Sequence, residues 1–114
     1  MKKSDLETLA KITGMQSDLA LAQLAAISDE MAKTRDRQAA NRRAVLQAWQ
    51  ATRADPALGS GAVRFSQWAG QEAAALQRQA DEQGRLLETR KAEAIRAFGR
   101  KMALDSLRAA LSRG

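Results

Sequence analysis

Pro56 is the chain's one proline, and it divides 114 residues almost in half. A proline lacks the backbone donor and pushes the residue before it out of the α region, so no regular helix runs through this point. On either side lie proline-free stretches rich in Ala, Leu, Arg, Lys, Glu and Gln, the strong helix formers. The sequence therefore predicts a helix over about 5–53, a loop over about 54–62 and a helix over about 63–112. Gly59 and Gly61 fall within that loop and would supply a permissive backbone for the reversal. At the α-helical rise each helix would be about 73 Å long. Equal helices about a short turn are what an antiparallel hairpin requires. A lone helix on each side of a linker would have no core, and packing supplies most helical stability. The expectation is one all-α domain over residues 1–114, a long antiparallel two-helix coiled-coil hairpin.

Ser4 to Glu7 fits a capping box, with Ser4 at the N-cap and Glu7 reaching back. Apolar residues then recur at helical spacing: Leu6, Leu9, Ile12, Met15, Leu19, Leu24, Ile27, Met31, Val45 and Trp49. Gly14 is the weak point, about 1 kcal/mol worse than alanine in a helix interior, and could mark a bend. In the heptad frame of Leu24, Ile27 and Met31 the next seam positions are Thr34, Gln38 and Asn41. Polar seam residues lower stability and can fix register. In the second helix Phe65, Leu76, Leu87 and Phe98 recur every eleven residues, which suggests a straight helix or a slight right-handed coil. Leu104, Leu107 and Leu111 close it. Folded about the loop, Trp49 would oppose Trp68, Met31 would face Leu86 and Leu87, Leu19 would face Phe98, and Leu6 would face Leu111. Such a hairpin buries one stripe per helix and is expected to be marginal alone.

Much of the apolar content is alanine, at 25 residues, with only two Trp, two Phe and no Tyr. There is no cysteine or histidine. That removes disulfides, thiolate metal sites and the commonest general base and metal ligand. The opening MKKSDLETL, broken by Asp5 and Glu7, does not read as a signal peptide. The run from Leu19 to Ser28 is about half a membrane span. The expectation is a cytoplasmic chain. Acids and bases interleave, with Glu7–Lys11, Asp29–Lys33 and Asp81–Arg85 placed for i,i+4 pairing. From Arg85 onward there are eight bases and three acids. The acid pairs Asp29-Glu30 and Asp81-Glu82 point to different helix sides, and a slim hairpin offers no concave site. No catalytic, cofactor-binding or metal-binding residue is expected, and no enzyme activity.

Two basic stretches could contact phosphates: Lys33, Arg35, Arg37, Arg42 and Arg43, and Arg90, Lys91, Arg96, Arg100 and Lys101. They lack interleaved aromatics for base stacking, so a solvated face or an acidic protein partner is the stronger reading. The two tryptophans beside the loop would cross-pack, or Trp68 would stand partly exposed as an anchor for a partner.

The second helix resembles that of the FliJ-type stalk proteins of flagellar export and their type III secretion relatives of the YscO kind. Phe65-Ser66-Gln67-Trp68 is similar to the family's aromatic-polar-polar-aromatic opening. The run RKAEAIRAFGRKMALDSLRAAL is similar to its closing pattern, here with Lys101, Leu104 and Leu107. The resemblance covers about the second half of the chain and the architecture. It implies a coiled-coil stalk that couples a hexameric export ATPase to an export gate protein and handles export chaperones. The gate surface would include Phe65, Trp68, Ala75 and Gln79, with Glu72 departing from the apolar residue expected there. The ATPase end would use Leu6, Leu9, Arg100, Lys101, Leu104, Leu107 and Leu111. No cofactor and no membrane span is implied. The competing reading is a scaffold or regulator that self-associates into a four-helix bundle through the same seam.

Overall fold

The computed structural model describes residues 2–113. Helix α1 runs Lys3–Ala54 and helix α2 runs Gly59–Arg113. Between them Pro56–Leu58 forms one turn of 3-10 helix. The architecture is the expected all-α antiparallel two-helix hairpin. α1 continues through Gly14, so this glycine breaks nothing. Arg53 and Arg113 in the last turns suit the negative ends of the helix dipoles.

The expected start of the first helix and the extent of the loop need correction, while the helix end near residue 53 holds. α1 begins at Lys3, with the Asp5 and Leu6 amides donating to the Lys2 carbonyl. Ser4 therefore lies inside the first turn, where its own carbonyl accepts from Thr8 Oγ1, rather than at the cap. The reversal is shorter than a nine-residue loop and does not use glycine freedom. Asp55 is extended at φ −140°, ψ 98°, and its carboxylate accepts from the Ala57 amide, with Pro56 following as the first residue of the 3-10 turn. Gly59 is already right-handed helical, and no described glycine has positive φ. One extended aspartate before a proline is enough to reverse the chain, because the proline's fixed φ suits a first helical position and its missing amide is not needed there.

The chain divides into two compact units. The loop unit is Asp29–Gly84. The terminal unit comprises the chain up to Ser28 and from Arg85 onward.

In the loop unit the α1 seam falls at Met31, Thr34, Gln38, Asn41, Val45, Ala48 and Thr52, at alternating spacings of three and four. This is the heptad frame expected from Leu24, Ile27 and Met31. Thr34 is the most deeply buried, at 1% exposure. Its hydroxyl donates to the Glu30 carbonyl one turn back, as that of Thr52 does to Ala48. A β-branched threonine can satisfy its hydroxyl on its own helix and still present a methyl to the partner. α2 answers with buried Ala62, Ala69 and Leu76.

In the terminal unit the seam on α1 is Leu6, Ala10, Thr13, Ser17, Ala20, Leu24 and Ile27, and on α2 Leu87, Arg90, Ala94, Ala97, Lys101 and Leu104. The core cluster is Ala20, Ala94 and Ala97, with Leu24 packed against it. α2 thus follows a seven-residue seam. The eleven-residue series is not its packing stripe: Leu76 is buried, Phe65 and Leu87 are half-buried, and Phe98 is exposed. Leu9, Ile12, Met15 and Leu19, counted on the apolar stripe of α1, are exposed too. Leu19 and Phe98 therefore do not meet as a buried pair. The closing leucines split as well, Leu104 half-buried and Leu107 and Leu111 exposed.

The ion pairs also differ from the expectation. Among the described residues they span i,i+3: Glu30–Lys33, Glu88–Lys91, Arg90–Glu93 and Asp105–Arg108. Lys33 thus takes Glu30 rather than Asp29, and Asp81 accepts from Gln77 at 3.0 Å. Arg90–Glu93 is partly buried; the other three are surface contacts, each worth about 0.5 kcal/mol or less. Among the described residues no helix is long and apolar enough to cross a membrane.

Candidate functional site

The loop unit places the expected gate residues on one stripe of α2. Phe65, Trp68, Glu72, Ala75 and Gln79 follow one another at alternating spacings of three and four, so they share one flank beside the seam. Phe65 and Gln79 are half-buried, while Trp68, Glu72 and Ala75 are exposed. The Phe65 and Trp68 rings lie 5.7 Å apart, tilted by 41°, an attractive aromatic geometry. Below them a groove of about 310 Å³ is lined by both rings, Leu76, Ala40, Ala44 and Asn41, with Arg37 and Glu72 among its walls. Trp68 is 54% exposed, so the larger ring remains free to meet a partner. Glu72, the departure from the family pattern, lines this groove, so the surface combines apolar contact with one acid and one base.

The two tryptophans do not cross-pack. Trp49 Nε1 donates to Ser66 Oγ at 3.0 Å, whereas Trp68 stacks with Phe65 on its own helix. The heptad positions explain this. Trp49 follows the seam residue Ala48, and Trp68 precedes the seam residue Ala69. In an antiparallel pair, residues on the following side of each seam share one flank and those on the preceding side share the other. The rings therefore stand on opposite flanks.

A further bond across the loop unit runs from Asn41 Nδ2 to the Ala69 carbonyl at 3.2 Å. That carbonyl already serves its own helix, so the contact specifies which turn of α2 lies opposite Asn41. Gln83 contributes the converse, since its Oε1 is buried without a hydrogen-bond partner.

The residues expected at the ATPase end belong to the terminal unit and divide into two sets. Leu6 is buried, and Lys101 and Leu104 are half-buried in the seam. Leu9, Arg100, Leu107 and Leu111 are exposed. Leu9, Arg100 and Leu107 each precede a seam position, which puts them on one flank. Leu6 and Leu111 do come together, lining an open cleft of about 530 Å³ with Lys3, Glu7, Arg108, Ala109 and Ser112. Of the second basic stretch, Arg90 is tied down, donating to Gln23 Oε1 on the other helix and to Glu93. Arg96 and Arg100 remain exposed. Among the described residues no group of His, Cys, Asp or Glu is placed to hold a metal ion.

A feature missed by the sequence reading is the set of large side chains outside the seam. Leu21, Ile95, Phe98 and Met102 are exposed, Ile95 at 73%. The available signal was their position one step after Ala20, Ala94, Ala97 and Lys101. Seeing it required knowing that alanines, rather than their larger neighbours, hold this part of the seam.

The chain matches no protein-family model, no curated protein and no solved structure.

Proposed function

We propose that the chain is a FliJ-type coiled-coil stalk of a flagellar or type III export system. In this reading it couples a hexameric export ATPase to an export gate protein and handles export chaperones. It acts in the cytoplasm, peripheral to the membrane export apparatus, and carries no catalytic chemistry of its own. The resemblance of α2 motivates the reading. The observation that carries it is the alignment of Phe65, Trp68, Ala75 and Gln79 on one accessible flank, with the aromatic pair above a groove. Exposed aromatic anchors beside small pockets are the usual centres of protein interfaces. In the terminal unit, Leu9, Arg100 and Leu107 give the ATPase end a mixed apolar and basic flank, suited to an acidic protein surface. Leu6, Lys101 and Leu104 support that flank from the seam, and Leu111 borders it at the cleft.

The test is binding of purified chain to the export ATPase encoded by the same genome. Arg100 is exposed, so Arg100→Glu changes the docking charge without touching the seam. Loss of binding at least about tenfold is expected, since reversing a charge in a complementary contact costs roughly 1.4 kcal/mol or more. Equal binding by wild type and Arg100→Glu, or none by wild type, would sink the proposed docking end.

A further inference from the structure

We propose that two copies of this chain pair through the flank carrying Leu21, Ile95, Phe98 and Met102, so that the terminal units form a four-helix bundle. The inference does not depend on the stalk reading and uses a different surface from the seam.

The flank is defined by register. Leu21 follows buried Ala20, while Ile95 and Phe98 follow buried Ala94 and Ala97. Met102 follows Lys101, the next seam position. Residues one step beyond the seam on antiparallel partners lie side by side, so these four form one patch across both helices. Each is more than half exposed. No seam rearrangement is needed to free them, and burying apolar area of this kind drives association.

The accessible surface leaves room for a dimer contact. It is 8237 Å² for a chain of 12.4 kDa, whereas a globular monomer of that mass has about 6,100 Å². A hairpin that buries one stripe per helix carries such an excess, and the excess is larger than the roughly 800 Å² that each partner gives to a stable dimer. The surplus apolar surface is unevenly held. Among the described residues sixteen large hydrophobic side chains are left exposed; eleven belong to the terminal unit, four of them on this flank.

Charge selects a second copy over an acidic partner on this flank. Its edges carry Lys11, Asp18 and Lys91, the last paired to Glu88, a mixture that a two-fold axis can set against itself. The unpaired basic pressure, Arg96 and Arg100, lies on the opposite flank and stays in water in such a dimer.

Sedimentation equilibrium of the full chain tests this, with Ile95→Glu/Phe98→Glu against the opposite-flank control Leu19→Glu, and far-UV circular dichroism on each. The expected result is a dimer for wild type and Leu19→Glu. The double variant should keep its helicity and dimerise at least about 100-fold more weakly, the loss of two anchor residues. A wild-type monomer at 100-micromolar-order concentrations would overturn the proposal and leave the flank to a partner protein. So would an intact dimer in the double variant, or dissociation caused equally by Leu19→Glu.

Discussion

The two units solve the same packing problem with different chemistry. The loop unit joins its helices by directed polar contacts: Asn41 to the Ala69 carbonyl and Trp49 to Ser66. It leaves five large apolar residues exposed, Leu46, Trp49, Leu58, Val63 and Trp68. The terminal unit joins its helices through small residues, with Ala20, Ala94 and Ala97 at the centre. Among the described residues its one directed cross-helix contact is the 3.4 Å Arg90–Gln23 bond, and eleven large apolar residues turn outward. Hydrogen bonds fix a register because they are directional. Alanine packing is nearly indifferent to a shift by one heptad, but it lets helices approach closely and releases large residues for contacts elsewhere. The loop unit thus carries the directed contacts that specify the hairpin along with one compact aromatic surface, and the terminal unit carries most of the outward-facing apolar side chains.

The comparison can be broken most forcefully at the seam alanines. Ala97→Asp places a carboxylate in the terminal core and should cost about 3 kcal/mol or more. Hydrogen exchange should then rise in the terminal unit first. Faster exchange confined to the loop unit would contradict the assignment of Ala97 to the terminal core. A smaller effect of opposite sign is expected at Gln83. Gln83→Leu removes the orphaned buried oxygen and should stabilise the chain by about 1–2 kcal/mol in urea titration. Destabilisation would mean that the oxygen has a partner after all. Least of all, Glu88→Gln breaks an exposed ion pair and should shift stability by less than about 0.5 kcal/mol. A larger loss would make surface charge a real part of the terminal unit's cohesion.

The two seams were not equally legible in the sequence. Leu24, Ile27 and Met31 are large, and they lie on the true seam, so the frame they set placed Thr34, Gln38 and Asn41 correctly. In α2 the large residues mislead. Phe65 and Phe98 lie beside the seam, and the eleven-residue interval among Phe65, Leu76, Leu87 and Phe98 crosses from flank to seam and back. With 25 alanines in the chain, those that form the seam carry no periodic signal above the rest. At the turn the informative residues were Asp55 and Pro56, an extended cap followed by a first-turn proline. The neighbouring glycines drew attention but serve only as helix. Phe65, Trp68, Ala75 and Gln79 were named through the resemblance alone, and their helical spacing puts them on one flank of α2. The separation of Trp49 from Trp68 was not legible, because equal distance from the turn says nothing about which flank a side chain occupies.

The central claim is that Ala20, Ala94 and Ala97 form the middle of the terminal seam while the larger Leu19, Ile95 and Phe98 beside them face outward. The chain contains no cysteine, so paired cysteines report contacts without background. Under mild oxidation Ala20→Cys/Ala97→Cys should close within one chain nearly completely, seen as a faster-migrating monomer on a non-reducing gel. Leu19→Cys/Phe98→Cys should not close within a chain. Efficient closure of the second pair with failure of the first would put the large residues in the seam and contradict the account.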